Sequence, residues 1–250
     1  MKDLLEIENI TKAFGGVKAV DRCTFTVEKN SITGLIGPNG AGKTTMFNII
    51  SGLLKAEEGN IYFNDQNISK LSPYKRALLG LGRSYQAIRI FPELTALENI
   101  MVAFQDNKEK LWHSFMPLKK HRKRQEKRAI KLLETVGLEE KSNLKGYELS
   151  YGQKKLIEIL RAKANDSSLI LLDEPTAGIN PTLIKQITKI IKKFQKEEKT
   201  ILIVEHNMPF IMNLCEKIVV MDRGTNIANG KPKEIQNNPK VLEAYLGIKK

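Results

Sequence analysis

The sequence predicts an α/β protein whose C-terminal half is a parallel sheet covered by helices. Three short apolar runs at residues 169–172, 201–204 and 218–221 alternate with helical patterns at residues 181–194 and 208–214. Runs that are apolar at every position belong to strands buried on both faces, as parallel sheets require. A fourth such run, residues 32–36, leads into a glycine-rich loop and then a helix, the order in which nucleotide-binding folds present a phosphate-binding turn.

From the N-terminus, residues 4–10, 23–27 and 32–36 are β-prone runs separated by Gly15-Gly16 and Lys29-Asn30. A helix is expected from about Lys43, a short strand at residues 61–63, and another at residues 81–85. Residues 96–164 then read largely as a helical lobe. Within it Ala129, Leu132, Leu133 and Val136 fall at i, i+3, i+4 and i+7, a core-facing stripe that Gly137 is suited to stop. In residues 119–131, eight of thirteen are Lys or Arg and only Glu126 is acidic. That run reads as the solvated outer face of a helix, with contact to anionic lipid as the second reading. No internal repeat or low-complexity linker interrupts the chain.

With 250 residues, 41% hydrophobic and 28% charged, the chain has the composition of one large globular domain, or of one carrying an inserted lobe. No apolar run approaches the roughly 18 residues of a membrane-spanning helix, and MKDLLEIENI lacks the layout of a signal peptide. A soluble, intracellular chain is expected. Cys23 and Cys215 stand far apart and read as buried small hydrophobes. A formal charge of +13 suits nucleic acid or an anionic membrane equally and does not choose between them.

Gly37, Pro38, Asn39, Gly40, Ala41, Gly42, Lys43, Thr44 and Thr45 fit G-x-x-x-x-G-K-[ST]. The glycines let backbone N–H groups and the helix dipole face a phosphate; Lys43 is placed for the β and γ phosphates, and Thr44 offers a hydroxyl to Mg²⁺. The run at 169–172 delivers Asp173 and Glu174 at the end of a strand, the usual location of ligand chemistry in open α/β sheets. Asp173 suits Mg²⁺, usually through water, and Glu174 suits polarising the water that attacks the γ-phosphate. Alone, such a pair reads as a helix cap or a solvated turn; beside a phosphate loop it reads as a hydrolytic centre.

Residues 149–153, LSYGQ, put Ser150 and the amide of Gly152 where a helix begins, another anion-binding terminus. By itself Ser150 would be an ordinary N-cap. The stretch resembles the ABC signature, Leu-Ser-Gly-Gly-Gln, with Tyr151 at its first glycine as in the ATPase subunits of branched-chain amino acid transporters. The resemblance covers nearly the whole chain, including the FGGV of residues 14–17, the EHNM of residues 205–208 and the tail from Gly224 through the AYLG of residues 244–247. It implies an ABC-type P-loop nucleotide-binding domain with a mixed sheet, an antiparallel β subdomain and an inserted helical subdomain. That single domain would span residues 1–250, with a helical signature subdomain at about 87–163 and a C-terminal extension from about 223.

The same resemblance implies roles for further residues. Gln86 matches the glutamine that senses Mg²⁺ and the attacking water, and His206 matches the switch histidine at the γ-phosphate. Phe14 matches the ring that stacks on adenine, which needs only a ring face. Ser150, Gly152 and Gln153 match the segment that clasps ATP held by a second cassette, and residues 177–180 form the loop between cassettes, with Asn180 where many relatives carry Asp. His113 and His121 are assigned structural roles. ATP and Mg²⁺ are the implied cofactors. The implied partners are a second ABC ATPase, the same or a homologous chain, two membrane permeases and, indirectly, an extracytoplasmic substrate-binding protein. No specific nucleic acid is expected, and the chain would sit at the cytoplasmic face of the membrane. Urea and short-amide importers share much of this text and stay open as alternatives. A repair or ribosome-associated cassette is opposed by the lack of an inserted coiled coil or a second cassette, and a regulator without hydrolysis by the presence of Glu174, His206 and Gln86.

Overall fold

The computed structural model describes residues 2–104 and 118–246. His113 lies outside them, and His121 is half-buried on a helix of the lobe.

The chain opens with a long hairpin, β1 (Asp3–Phe14) and β2 (Val17–Glu28), followed by β3 (Ile32–Ile36) and α1 (Lys43–Ile50). Next come β4 (Glu58–Phe63), β5 (Gln66–Asn67), α2 (Pro73–Leu78) and β6 (Leu81–Arg83). The lobe contributes α3 (Ala96–Met101), α4 (Leu118–Glu134) and α5 (Tyr151–Ala164). The remainder alternates: β7 (Leu169–Asp173), α6 (Pro181–Lys196), β8 (Thr200–Val204), α7 (Met208–Leu214), β9 (Lys217–Asp222), β10 (Thr225–Gly230), α8 (Pro232–Gln236) and α9 (Pro239–Leu246).

Two sheets result. A four-stranded antiparallel sheet runs β2-β1-β4-β5, and a six-stranded sheet runs β10-β9-β3-β8-β7-β6. In the second, β9, β3, β8, β7 and β6 are mutually parallel and β10 is antiparallel to β9. The mixed sheet follows from the tail, whose first segment turns back as β10 on the sheet edge.

The every-position apolar runs are explained by the two cores they separate. Ile32, Ile36, Ile170, Leu172, Ile201 and Ile203 point into a core shared with α5, α6 and α7. Their neighbours Leu35, Leu169, Leu171, Leu202 and Val204 point into a second core, against α1 and the antiparallel sheet. Each such buried side chain contributes about 1.5–3 kcal/mol, so the sheet register is fixed from both faces. Cys23 and Cys215 are both buried free thiols within these cores.

Element limits differ from expectation in two places. The first hairpin runs on to a two-residue turn at Gly15-Gly16, because Phe14 pairs with Val17 and the ladder continues through polar residues. The strand expected to reach residue 85 stops at Arg83, whose Cα partner is Leu171. There the Tyr85 N–H is donated to the carboxylate of Glu158 on α5 (3.3 Å), which ends the pairing. The basic run lies on α4 with Arg122, Lys123, Arg124, Lys127 and Lys131 exposed and Ala129 and Leu133 buried, the amphipathic arrangement expected of it.

Candidate nucleotide-binding and hydrolytic site

The phosphate-loop sequence lies between β3 and α1. A Cβ on Gly37 (φ 152°) would stand 2.0 Å from the carbonyl oxygen of Met221 in β9, and one on Gly42 (φ 96°) 2.2 Å from that of Ala19 in β2. Strands of both sheets thus press on the loop, and only glycine fits at these two positions. Ala41 is buried and its N–H donates to the Pro38 carbonyl (3.2 Å), while Asn39 and Gly40 are exposed at the rim. Lys43 bends back across the loop and donates to the carbonyl oxygens of Gly37 (2.7 Å) and Pro38 (2.9 Å). Burial pulls its pKa down, opposed by the carboxylate of Glu174. Thr44 is exposed and Thr45 half-buried in the first turn of α1. From the tail, Tyr245 on α9 reaches the same loop: burial pushes its hydroxyl up to about 12 against a hydrogen bond with the Gly37 backbone.

The other end of α1 is held by Arg76, which is 2% exposed. Its guanidinium donates to the carbonyls of Ile49 (2.6 Å), Ile50 (2.7 Å), Ser69 (3.0 Å) and Leu71 (3.1 Å). Burial draws its pKa down to about 10. A cation on the last carbonyls of a helix opposes the negative end of the helix dipole, here on the helix that carries Lys43 and Thr44.

Three residues from distant stretches meet, Gln86 and His206 converging on the carboxylate of Glu174. Gln86 donates through Nε2 to Oε2 of Glu174 (2.8 Å), and Nδ1 of His206 lies 3.7 Å from Oε1. They leave the C-terminal ends of β6, β7 and β8, the edge at which open α/β sheets place their ligands. Glu174 adopts φ 46°, a left-handed conformation costing a non-glycine residue about 1–3 kcal/mol. The imidazole of His206 is 65% exposed and open to a ligand.

Asp173, at the end of β7, is buried and accepts from Arg83 at Oδ2 (3.0 Å). Arg83 also donates to the Ser51 hydroxyl (2.6 Å) and the Phe47 carbonyl (3.2 Å), tying β7 to α1. The donor set suits a hard cation: the Thr44 hydroxyl, Oδ1 of Asp173 and the Gln86 carbonyl oxygen. Mg²⁺ takes a few such protein oxygens together with water and phosphate. Among the described residues no group of three or more His, Cys, Asp or Glu side chains is gathered as a metal cage.

Sequence reasoning missed Arg76, Arg83, Lys155 and Glu205. Glu205 is fully buried; one carboxylate oxygen accepts from the N–H (2.7 Å) and hydroxyl (2.5 Å) of Thr176, the other from the N–H groups of His206 (3.0 Å) and Asn207 (3.2 Å). Lys155 on α5 is 1% exposed and donates to the Glu174 carbonyl (3.0 Å); burial lowers its pKa, opposed by Glu158, Glu205, Asp173 and Glu174. A charged residue in the apolar phase of a helix, or directly extending an apolar strand, was the available signal.

The remaining predicted residues lie apart from this cluster. Ser150 caps α5 by accepting from the Gln153 N–H (3.3 Å) while Oε1 of Gln153 accepts from the Ser150 N–H (2.9 Å), a capping box. With Gly152 they line a hollow of about 590 Å³ shared with Gly178, Asn180 and Leu183, and no phosphate-loop residue borders it. Asn180 caps α6 through the Leu183 N–H (2.9 Å). Phe14 stands at the hairpin tip, 49% exposed, with Nζ of Lys12 5.3 Å from its ring centre.

A phosphate loop on a mixed sheet, a strand-end Asp-Glu pair met by Gln86 and His206, and a second helix-capping segment whose hollow no phosphate-loop residue borders define a P-loop ATPase cassette. The chain belongs to the ABC transporter family, whose description matches residues 20–177. Residues 225–248 also match the branched-chain amino acid ATP-binding cassette transporter family. Among curated relatives, the probable branched-chain amino acid transport ATP-binding protein LivG of Archaeoglobus fulgidus is 39% identical over 246 residues, 98% of this chain and 95% of the relative. The high-affinity LivG of Escherichia coli K12 is 37% identical over 249 residues, 98% of each. A nucleotide-free ATP-binding cassette from an ABC transporter superposes with a TM-score of 0.86 at 33% identity over the whole of both chains. The dimeric post-hydrolysis cassette MJ0796, bound to ADP and Pi, superposes at 0.76 and 27% identity over 91% of this chain and 98% of that one.

Proposed function

We propose that this chain hydrolyses ATP at the cytoplasmic face of a membrane to power uptake of branched-chain, hydrophobic amino acids through partner permeases. The convergence of Gln86 and His206 on Glu174 carries the hydrolytic part of this reading. The match of the tail and the names of the curated relatives carry the substrate part.

In this reading the amides of residues 37–42 and Lys43 bind the ATP phosphates, and Phe14 lies under adenine. Thr44, Gln86 and Asp173 would hold Mg²⁺, which would supply charge neutralisation at the phosphates. Glu174 accepts a hydrogen bond from the attacking water and polarises it, Gln86 orients that water, and His206 contacts the γ-phosphate. Ser150, Gly152 and Gln153 serve ATP held by a second cassette. A hollow that excludes the phosphate loop supports that division, as does a dimeric relative.

Beside Gln86 a groove of about 620 Å³ is lined by Leu53, Tyr74, Tyr85, Arg89 and Phe91. Leu53, Tyr74 and Phe91 are exposed there, which suits a permease contact that follows the movement of residues 87–94. Among the described residues no helix is long and apolar enough to cross a membrane, so passage of the substrate falls to the permeases. An extracytoplasmic binding protein would deliver the substrate to them.

The test is uptake of labelled leucine, isoleucine, valine and urea by cells lacking the chain, complemented with the wild-type chain or with Glu174→Gln. Restored amino-acid uptake with the wild type alone is expected. Restored urea uptake without amino-acid uptake would move the chain to the urea importers.

A further inference from the structure

The N-terminal turns of α5 carry the signature and, one turn apart, Tyr151 within it and Lys155 beyond it, two residues that reach Glu174 and the loop following it. Tyr151 and Lys155 are spaced i, i+4 and so share a helix face. Nζ of Lys155 donates to the carbonyl oxygen of Glu174 at 3.0 Å, and the Tyr151 hydroxyl donates to that of Ala177 at 3.5 Å. The Tyr151 ring lies against Gly178, where an added Cβ would stand 3.4 Å from the hydroxyl oxygen. Glu205 holds the same loop at Thr176 and continues to His206.

We propose that Lys155, aided by Tyr151, is a positioning residue that couples the two ATP sites of the cassette dimer. It transmits the seating of the signature helix on one nucleotide to the Glu174 that acts on the other. The inference rests on the roles given above to Glu174 and to residues 150–153.

Two physical arguments support it. A buried ammonium is expensive, and a well-packed apolar side chain is often as stable or more so; what only the ammonium provides here is a charge-assisted hydrogen bond to one particular carbonyl. That carbonyl belongs to a residue at φ 46°, so a shift of its peptide plane changes the backbone torsions that aim the Glu174 carboxylate. Displacements of about 1 Å at such a group cost on the order of a hundredfold in rate.

The experiment compares Lys155→Met, which keeps the stem and removes the ammonium, with Lys155→Arg and Tyr151→Phe. Each is measured as ATP turnover in the transporter complex purified through the tagged chain. For Lys155→Met, kcat should fall about tenfold or more with KM for ATP within about twofold, and Lys155→Arg should recover most of the rate. In a Glu174→Gln background, Lys155→Met should still trap ATP in the complex, because the clasp itself is intact. Tyr151→Phe, at a half-exposed residue, should lower kcat about two- to threefold and serves as the test if Lys155→Met does not assemble.

Wild-type turnover in a folded Lys155→Met complex, or in Tyr151→Phe where Lys155→Met does not assemble, would overturn the inference. So would equal loss of ATP trapping and turnover in both Lys155 variants. A dead Glu174→Gln beside a fully active Lys155→Met overturns the inference alone, whereas an active Glu174→Gln overturns the reading of Glu174 and this inference with it.

Discussion

Glu205 accepts four hydrogen bonds from Thr176, His206 and Asn207 while fully buried, so its carboxylate joins the loop after Glu174 to the loop that carries His206. An amide in its place would turn an NH₂ toward N–H donors on one side. Glu205→Gln should therefore cost about 2–4 kcal/mol of stability, seen as a lower thermal midpoint, and should lower kcat by more than it raises KM. Gly37→Ala is the steric counterpart. A methyl group 2.0 Å from the Met221 carbonyl oxygen must displace the loop, and nucleotide binding should be lost when followed by fluorescent ATP titration. Both roles differ in how far they could be read in advance. The residues of 37–45, with Asp173 and Glu174, follow from spacing and strand context. Arg83, Lys155 and Glu205 do not, because their partners are backbone groups or side chains far away in the chain, and a lone charge in a sequence reads first as solvated.

Elements were legible where burial dictated their pattern. The central strands are apolar at every position because each is covered on both faces, and α7 has the expected limits, Met208–Leu214, between Asn207 as its cap and Cys215. Limits set by side-chain competition were not legible: β6 ends where Glu158 takes the Tyr85 N–H. The same holds for the last turn of α1, where Arg76, distant in sequence, joins the local donors Ser51 and Gly52. Arg76→Leu should remove the guanidinium donor from four carbonyls, of which Ile49 keeps the Gly52 N–H, and destabilise the protein by about 2–4 kcal/mol, read by chemical denaturation, with weaker ATP binding because the helix behind Lys43 loosens. At α3 the capping box of Thr95 and Glu98 predicts a pH effect. The Thr95 N–H and hydroxyl hold the Glu98 carboxyl below its ordinary 4.5. Its contribution is complete above about 4.5 and is lost as pH falls through the lower folded value. Amide exchange across α3 should accelerate in that acid range for the wild type and be insensitive to it in Glu98→Gln.

At the scale of the molecule, the two sheets and the lobe divide the chemistry. The six-stranded sheet presents Gln86, Asp173, Glu174 and His206 along one edge. The antiparallel sheet supports the phosphate loop through Ala19, and the capped start of α5 lines another hollow. In the proposed reading one chain holds the hydrolytic half of one site and the clasping half of another, and a cassette dimer is the working unit. On the same proposal, the groove beside Gln86 is the surface through which opening and closing of that dimer would move a permease. Only a difference in ATP affinity between open and closed dimers can drive such movement. The most direct measurement is ATP turnover and ATP retention by the purified complex carrying Glu174→Gln, set beside the wild type. Turnover abolished with ATP retained in the closed dimer is the predicted result; hydrolysis at the wild-type rate would contradict the assignment of Glu174 as the group that polarises the attacking water.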